Sequence, residues 1–177
     1  MTAPQFDRPE ATEYADFYAD YIAGVPDGDL LQRLEAQGRE MAALLGAVPE
    51  SRGGFAYASG KWTLKEMLLH QIDTERIFAY RALRFARADG QDLRGFEQDD
   101  YVAHSGANAR SIASLLAEYG ATRAASLSLF ESFTEEQLDR RGTANGGPAT
   151  VRALLYILPG HERHHLNIIC ERYQPIV

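Results

Sequence analysis

The segment from Thr63 to about Ala88 leaves little alternative to a helix. Thr63 stands at the N-cap position, Glu66 follows three residues later to complete a capping box, and Trp62 is placed to meet Met67 as a hydrophobic staple. Leu64, Met67, Leu68, Ile72, Phe78, Ala79, Ala82, Leu83 and Ala86 then recur at helical spacing and share one face. The same period returns from a cap at Asp27 or Asp29 to about Leu45, from about Ala109 to Phe133, and from a Thr150 cap to about Tyr173. Thr134-Glu-Glu-Gln137 opens a short additional helix. Val48 to Gly60 and Gly142 to Pro148 read as irregular loops, and strand-like alternation is absent. Four long helices with short extras predict an all-α protein, an up-down four-helix bundle.

Residues 1–27 are rich in Pro, Asp and Tyr, and Tyr14, Phe17, Tyr18 and Tyr21 give a short amphipathic turn or two. This part reads as an N-terminal arm packed on a single domain formed by residues 28–177. The connection from Ala88 to Asn108 is long for a compact domain and carries Asp99, Asp100, Tyr101 and His104. Net charge is −7, and only two of the 18 basic residues are lysines, Lys61 and Lys65, with the arginines scattered along the chain. This argues against nucleic acid as a partner, since such binding rests on clustered phosphate contacts. No apolar run has the length of a membrane span. The lone Cys170 and the absence of a signal segment point to the cytoplasm.

The chemistry is concentrated in five histidines. On a helical wheel Leu154, Ile157, Leu158, His161, His165, Ile168 and Ile169 fall on one side, so two imidazoles one turn apart sit inside an apolar stripe. Buried imidazoles need hydrogen bonds or a ligand, and the i, i+4 spacing lets two of them share one metal ion. His70, on the flank of the Thr63 helix beside Met67 and Ile77, supplies a third ring from another helix. Three neutral imidazoles suit Zn, Ni, Cu or Fe(II) and leave a coordination position open. Pro159-Gly160, just before His161, predicts either a bend in the last helix or two helices meeting there.

Other residues near these histidines have quieter readings. Glu66 is accounted for by its capping box, with a catalytic carboxylate as the other reading. His164 lies about 100° round the helix from His165, where it suits a role beside the site or toward substrate. Glu75 falls amid Leu64, Leu68, Ile72, Ala79 and Ala82, so it needs a cation; a structural ion pair to Arg152 or Arg172 is expected, with support of the metal site as the other reading. Asp73 and Arg76, with Lys65, Arg84 and Arg87, read as a solvated face.

Taken together, the run from Trp62-Thr-Leu-Lys-Glu-Met-Leu-Leu-His70 to Glu75, the stretch Gly95-Phe-Glu-Gln-Asp-Asp-Tyr101, and His161-Glu-Arg-His-His165 resemble the DinB/YfiT-like superfamily of metalloenzymes. The resemblance spans nearly the whole chain, to Tyr173. It implies a four-helix bundle in which His70, His161 and His165 bind a divalent metal, Zn or Ni. It also implies a small-molecule substrate, and it is compatible with a homodimer, although no surface stripe marks one. Two enzymatic readings follow: metal-assisted hydrolysis of a small molecule, and transfer chemistry on a low-molecular-weight thiol. A third is a stress-associated metal-binding protein without turnover. The catalytic group is not identified by the sequence; His164 and Glu66 are the candidates.

Overall fold

A computed structural model describes residues 6–173. Helix α1 spans Ala19–Ala23, α2 Leu30–Gly46, α3 Leu64–Ala86, α4 Gln98–His104, α5 Ile112–Glu131, α6 Glu135–Leu138 and α7 Val151–Arg172. The long helices start where side chains can satisfy their first free N–H groups. The Asp29 carboxylate accepts from Leu31 and Gln32, the Thr63 box closes with Glu66, Ser111 accepts from Ser114, and Thr150 accepts from Ala153.

The fold is a four-helix bundle of α2, α3, α5 and α7 with short accessory helices. Around the bundle the packed neighbours run α2, α5, α3, α7 and back to α2. Helices consecutive in the chain, α2 with α3 and α5 with α7, therefore lie diagonally. Because α3 and α7 are neighbours, His70 can meet His161 and His165.

The core has two apolar clusters. One gathers Leu30, Leu34, Phe78, Phe85, Phe130 and Leu154; the other gathers Met41, Leu45, Leu68, Ile72, Leu115 and Ile169. Where each long helix passes from one cluster to the other it turns polar, at Gln37, Glu75, Arg123 and Glu162, all buried. Arg123 of α5 joins all four helices. Its guanidinium donates to Glu75 of α3 at 2.9–3.1 Å, to Glu162 of α7 at 3.1 Å, and to the Leu34 carbonyl of α2. Tyr119 adds a hydrogen bond to Glu162.

That cluster corrects the expected partner of Glu75. Arg152 is engaged elsewhere, by Glu13 at 3.0 Å and Asp139 at 3.0 Å, and Arg172 is exposed at the end of α7. Lys65, expected on a solvated face, is instead buried and paired with Glu50 at 2.5 Å. Its aliphatic stem packs on apolar surface while its ammonium finds a carboxylate.

The expected loop at Gly142–Pro148 is also corrected. Strands β1, Arg141–Ala144, and β2, Gly147–Thr150, pair antiparallel with Ala144 opposite Gly147. Asn145 and Gly146 connect them with φ of 54° and 74°, the paired positive values that a two-residue hairpin turn requires. Four-residue strands are too short for alternation to show, so the Asn-Gly dipeptide was the available signal. The hairpin bonds to the long connection, Leu93 N–H to Thr143 O and Asn145 N–H to Leu93 O, both 2.9 Å.

Helix α7 runs unbroken through Pro159. The Pro159 carbonyl accepts a buried hydrogen bond from Gln37 Nε2 at 3.0 Å, and Gly160 lets α1 approach. A Cβ at Gly160 would overlap the Tyr21 carbonyl. Gly160→Ala is accordingly expected to cost about 1–3 kcal/mol through overpacking, read as a lower urea midpoint; wild-type stability in that variant would refute the close approach. Further contacts hold the preceding residues: Tyr156 Oη donates to Phe6 O at 2.9 Å, and Thr150 Oγ1 donates to Glu13 at 2.7 Å.

Candidate metal centre

Helices α3 and α7 bring three imidazoles together. His70 Nε2 lies 3.2 Å from His161 Nε2, and His165 Nε2 lies 3.1 Å from His161 Nε2. All three rings are buried, and their nitrogens fall within 4.8 Å of one another. Burial, the dominant influence, pushes the pKa of His70 down to about 4, with Asp99 acting weakly in the opposite sense. Burial and then the neighbouring imidazoles push His165 down to about 3, and the same causes hold His161 well below its ordinary value. At neutral pH the three rings are therefore uncharged.

Hydrogen bonding alone does not account for this trio. A neutral ring nitrogen carries either a proton or a lone pair, and His161 Nε2 faces two neighbours at once. Its single proton or single lone pair can serve one of them well, not both. Three lone pairs aimed at one cation remove the conflict, and ligand nitrogens about 2.0–2.1 Å from a tetrahedral Zn would stand about 3.3 Å apart. The donor set and its spacing fit a divalent transition metal. With each Nε2 turned inward, the ring proton resides on Nδ1, and in His165 that atom is buried without a protein partner among the described residues.

Trp62, at the start of the α3 capping box, covers the centre: its ring lies 4.7 Å from that of His70 and 6.5 Å from that of His165, centroid to centroid. Tyr21 of α1 meets His161 edge-on at 5.6 Å. A cavity of about 250 Å³ opens beside the trio, bounded by Tyr18, Tyr21, His70, Phe78, Phe96 and His161. Its roof comes from the long connection and the hairpin, through Phe96 and Asn145.

The other candidates do not join the three nitrogens, although the His164 ring lies 5.1 Å from that of His165. Both Glu66 oxygens are engaged, one by the Thr63 N–H at 2.7 Å and the other by Asn108 Nδ2 at 2.9 Å. His164 is exposed, packs its ring against Tyr21 at 5.6 Å, and borders a separate surface hollow with Arg163 and Asn167. His104 is exposed and bonds the Asp100 carbonyl of its own helix at 2.8 Å. The sequence reading did not single out Arg123, Glu162 or Arg81. Each is a charged residue on an otherwise apolar helix face, the one signal that could have found it.

A family model described as the DinB superfamily matches residues 33–169. A search of curated protein sequences gives no match. Among solved structures, YfiT from Bacillus subtilis, described as "a probable metal-dependent hydrolase with an unusual four-helix bundle topology", superposes with a TM-score of 0.75 at 16% identity, covering 85% of this chain and 92% of that one. A mycothiol-dependent maleylpyruvate isomerase gives 0.65 at 12% identity, over 82% of this chain and 61% of the isomerase. A DinB-like protein, YjoA, from Bacillus subtilis gives 0.61 at 18% identity, over 84% and 92%. Among the described residues, no helix is long and apolar enough to cross a membrane.

Proposed function

This chain belongs to the DinB superfamily, and from that premise we propose that it is a metal-dependent enzyme, a hydrolase of a small molecule, with His70, His161 and His165 as ligands to Zn or Ni. The observation that carries this reading is the convergence of three uncharged Nε2 atoms beside an aromatic-lined cavity whose wall includes His70 and His161. A bound divalent ion supplies a Lewis acid that lowers the pKa of a water or thiol at its open position. The protein's own part is positional. Helix α7 presents two ligands one turn apart, α3 presents the third, and Trp62 and Tyr21 shield the rings from bulk solvent.

A stress-associated metal-binding protein without turnover has no use for a cavity reaching the metal ligands. Here His70 and His161 both line one, which favours an enzyme. Transfer chemistry on a low-molecular-weight thiol is the second reading, supported by the likeness to the mycothiol-dependent isomerase. The two differ in what occupies the open position, so esters and amides are to be assayed beside small thiols with electrophiles.

The first test is metal content by mass spectrometry on untagged protein, with the single Trp62 as an optical reporter. About one equivalent of metal is expected, and Ni(II) added to metal-free protein is expected to quench the fluorescence up to one equivalent. A protein that takes up neither Zn nor Ni would eliminate both enzymatic readings.

A further inference from the structure

Arg81 carries a charge that has no counter-ion among the described residues. It is 3% exposed, yet among the described residues no carboxylate forms an ion pair with it, the rim residue Glu97 included. Its partners are the Arg94 carbonyl at 3.1 Å, the Phe78 ring face at 5.3 Å, and the Tyr18 phenol beside it. The other buried cations are treated differently: Arg123 has Glu75 and Glu162, and Lys65 has Glu50. An unpaired buried guanidinium is costly, because desolvation is not offset by an opposite charge.

Arg81 also lies in line with the metal centre. His70, Thr74, Phe78 and Arg81 follow one another at spacings of four, four and three, so they share one face of α3, and all four line the same cavity. Along that face His70 and Arg81 are about 16 Å apart at their Cα atoms, at roughly 1.5 Å per residue. Side chains lean toward the helix N-terminus, which tilts the Arg81 guanidinium back toward the histidines. Between them Thr74 Oγ1 is buried with no hydrogen-bond partner among the described residues. The volume, about 250 Å³, is below the usual range for drug-sized ligands, and the walls are aromatic.

We propose that this cavity takes a small organic anion, a carboxylate with an apolar or aromatic body, whose charged end is held by Arg81 while its other end reaches His70 and His161. The guanidinium offers a planar fork of donors suited to a carboxylate. Phe78, Tyr18 and Phe96 pack the body of the molecule. The proposal rests on the metal-enzyme reading above for what happens at the histidine end, and stands on Arg81 alone for the charged end.

The test uses metal-free protein, so that a carboxylate cannot bind through the metal. Benzoate and phenylacetate are compared with the neutral benzamide and phenylacetamide by calorimetric titration, in wild type, Arg81→Gln and Arg81→Lys. The carboxylates are expected to bind wild type at least about 10-fold more tightly than the amides. Arg81→Gln is expected to lose that preference, and Arg81→Lys to keep part of it. Equal binding of acids and amides to wild type, binding of neither, or a preference surviving in Arg81→Gln would overturn the proposal. If Arg81→Gln proves unfolded by circular dichroism, the wild-type comparison and Arg81→Lys still decide. Metal content, measured on the same preparations, separates the two readings: an anion preference in protein that cannot take up metal refutes only the metal centre, and metal uptake without the preference refutes only the anion site.

Discussion

Arg123→Met is expected to lower the unfolding free energy by about 3–5 kcal/mol, the usual loss when one partner is removed from a buried ion pair. The magnitude follows from what the substitution leaves behind. Glu75 and Glu162 are 3% and 2% exposed, and without the guanidinium both stay buried with no ion-pair partner among the described residues. The Leu34 carbonyl loses the side-chain donor as well. Even with Arg123 present, burial raises the Glu162 pKa, with Glu75 adding to the effect against the opposing pull of Arg123 and Tyr119. A domain of this kind has about 5–15 kcal/mol in all, so the single variant is expected to be marginal. Replacing all three charges, as Glu75→Gln, Arg123→Met and Glu162→Gln, is expected to recover most of the loss, because the cost lies in the uncompensated carboxylates. Urea unfolding of the single and triple variants measures both. A loss below about 1 kcal/mol for Arg123→Met would show that the cluster does not brace the four helices.

What was legible in the sequence was what local chemistry decides. Asp29, one of the two caps expected there with Asp27, and Thr63, Thr134 and Thr150 marked their helix starts because capping acts within three residues. The grouping of His70 with His161 and His165 followed from the stripe that holds the last two, from the place of His70 on the flank of the other patterned helix, and from the family resemblance, and the structure places their nitrogens within 4.8 Å. What was not legible depended on helices meeting. Glu75 was seen to need a cation, but Arg123 could be chosen over Arg152 only once α5 was known to lie beside α3. Pro159-Gly160 suggested a bend or a break; its role as the place where α1 touches α7 required knowing where Tyr21 goes. The hairpin was missed for a different reason, since its pairing rests on a turn and eight backbone positions rather than on an apolar pattern. Arg81 shows the limit most plainly, because a buried arginine without a carboxylate is recognisable only after every neighbour has been placed.

His161→Ala is expected to weaken metal binding by at least about 100-fold, more than loss of a residue that merely orients a ligand. His161 is the shared member of the trio: its Nε2 makes both short contacts, to His70 at 3.2 Å and to His165 at 3.1 Å, so removing it deletes a ligand and separates the remaining two. The effect is readable without any substrate. A metal that binds the folded chain alone adds about 2.7 kcal/mol at a hundredfold excess over Kd, which for a domain of this size raises Tm by about 5–10 °C. Wild type is expected to show that shift on adding Zn or Ni, and His161→Ala to show none. His164→Ala is the matched control. It removes a neighbouring imidazole that is exposed and faces a different hollow, and it is expected to keep both the metal and the shift. A variant at His161 that binds metal as wild type does, or a His164 variant that does not, would mean that the ion is held by a different set of nitrogens from those the two helices bring together.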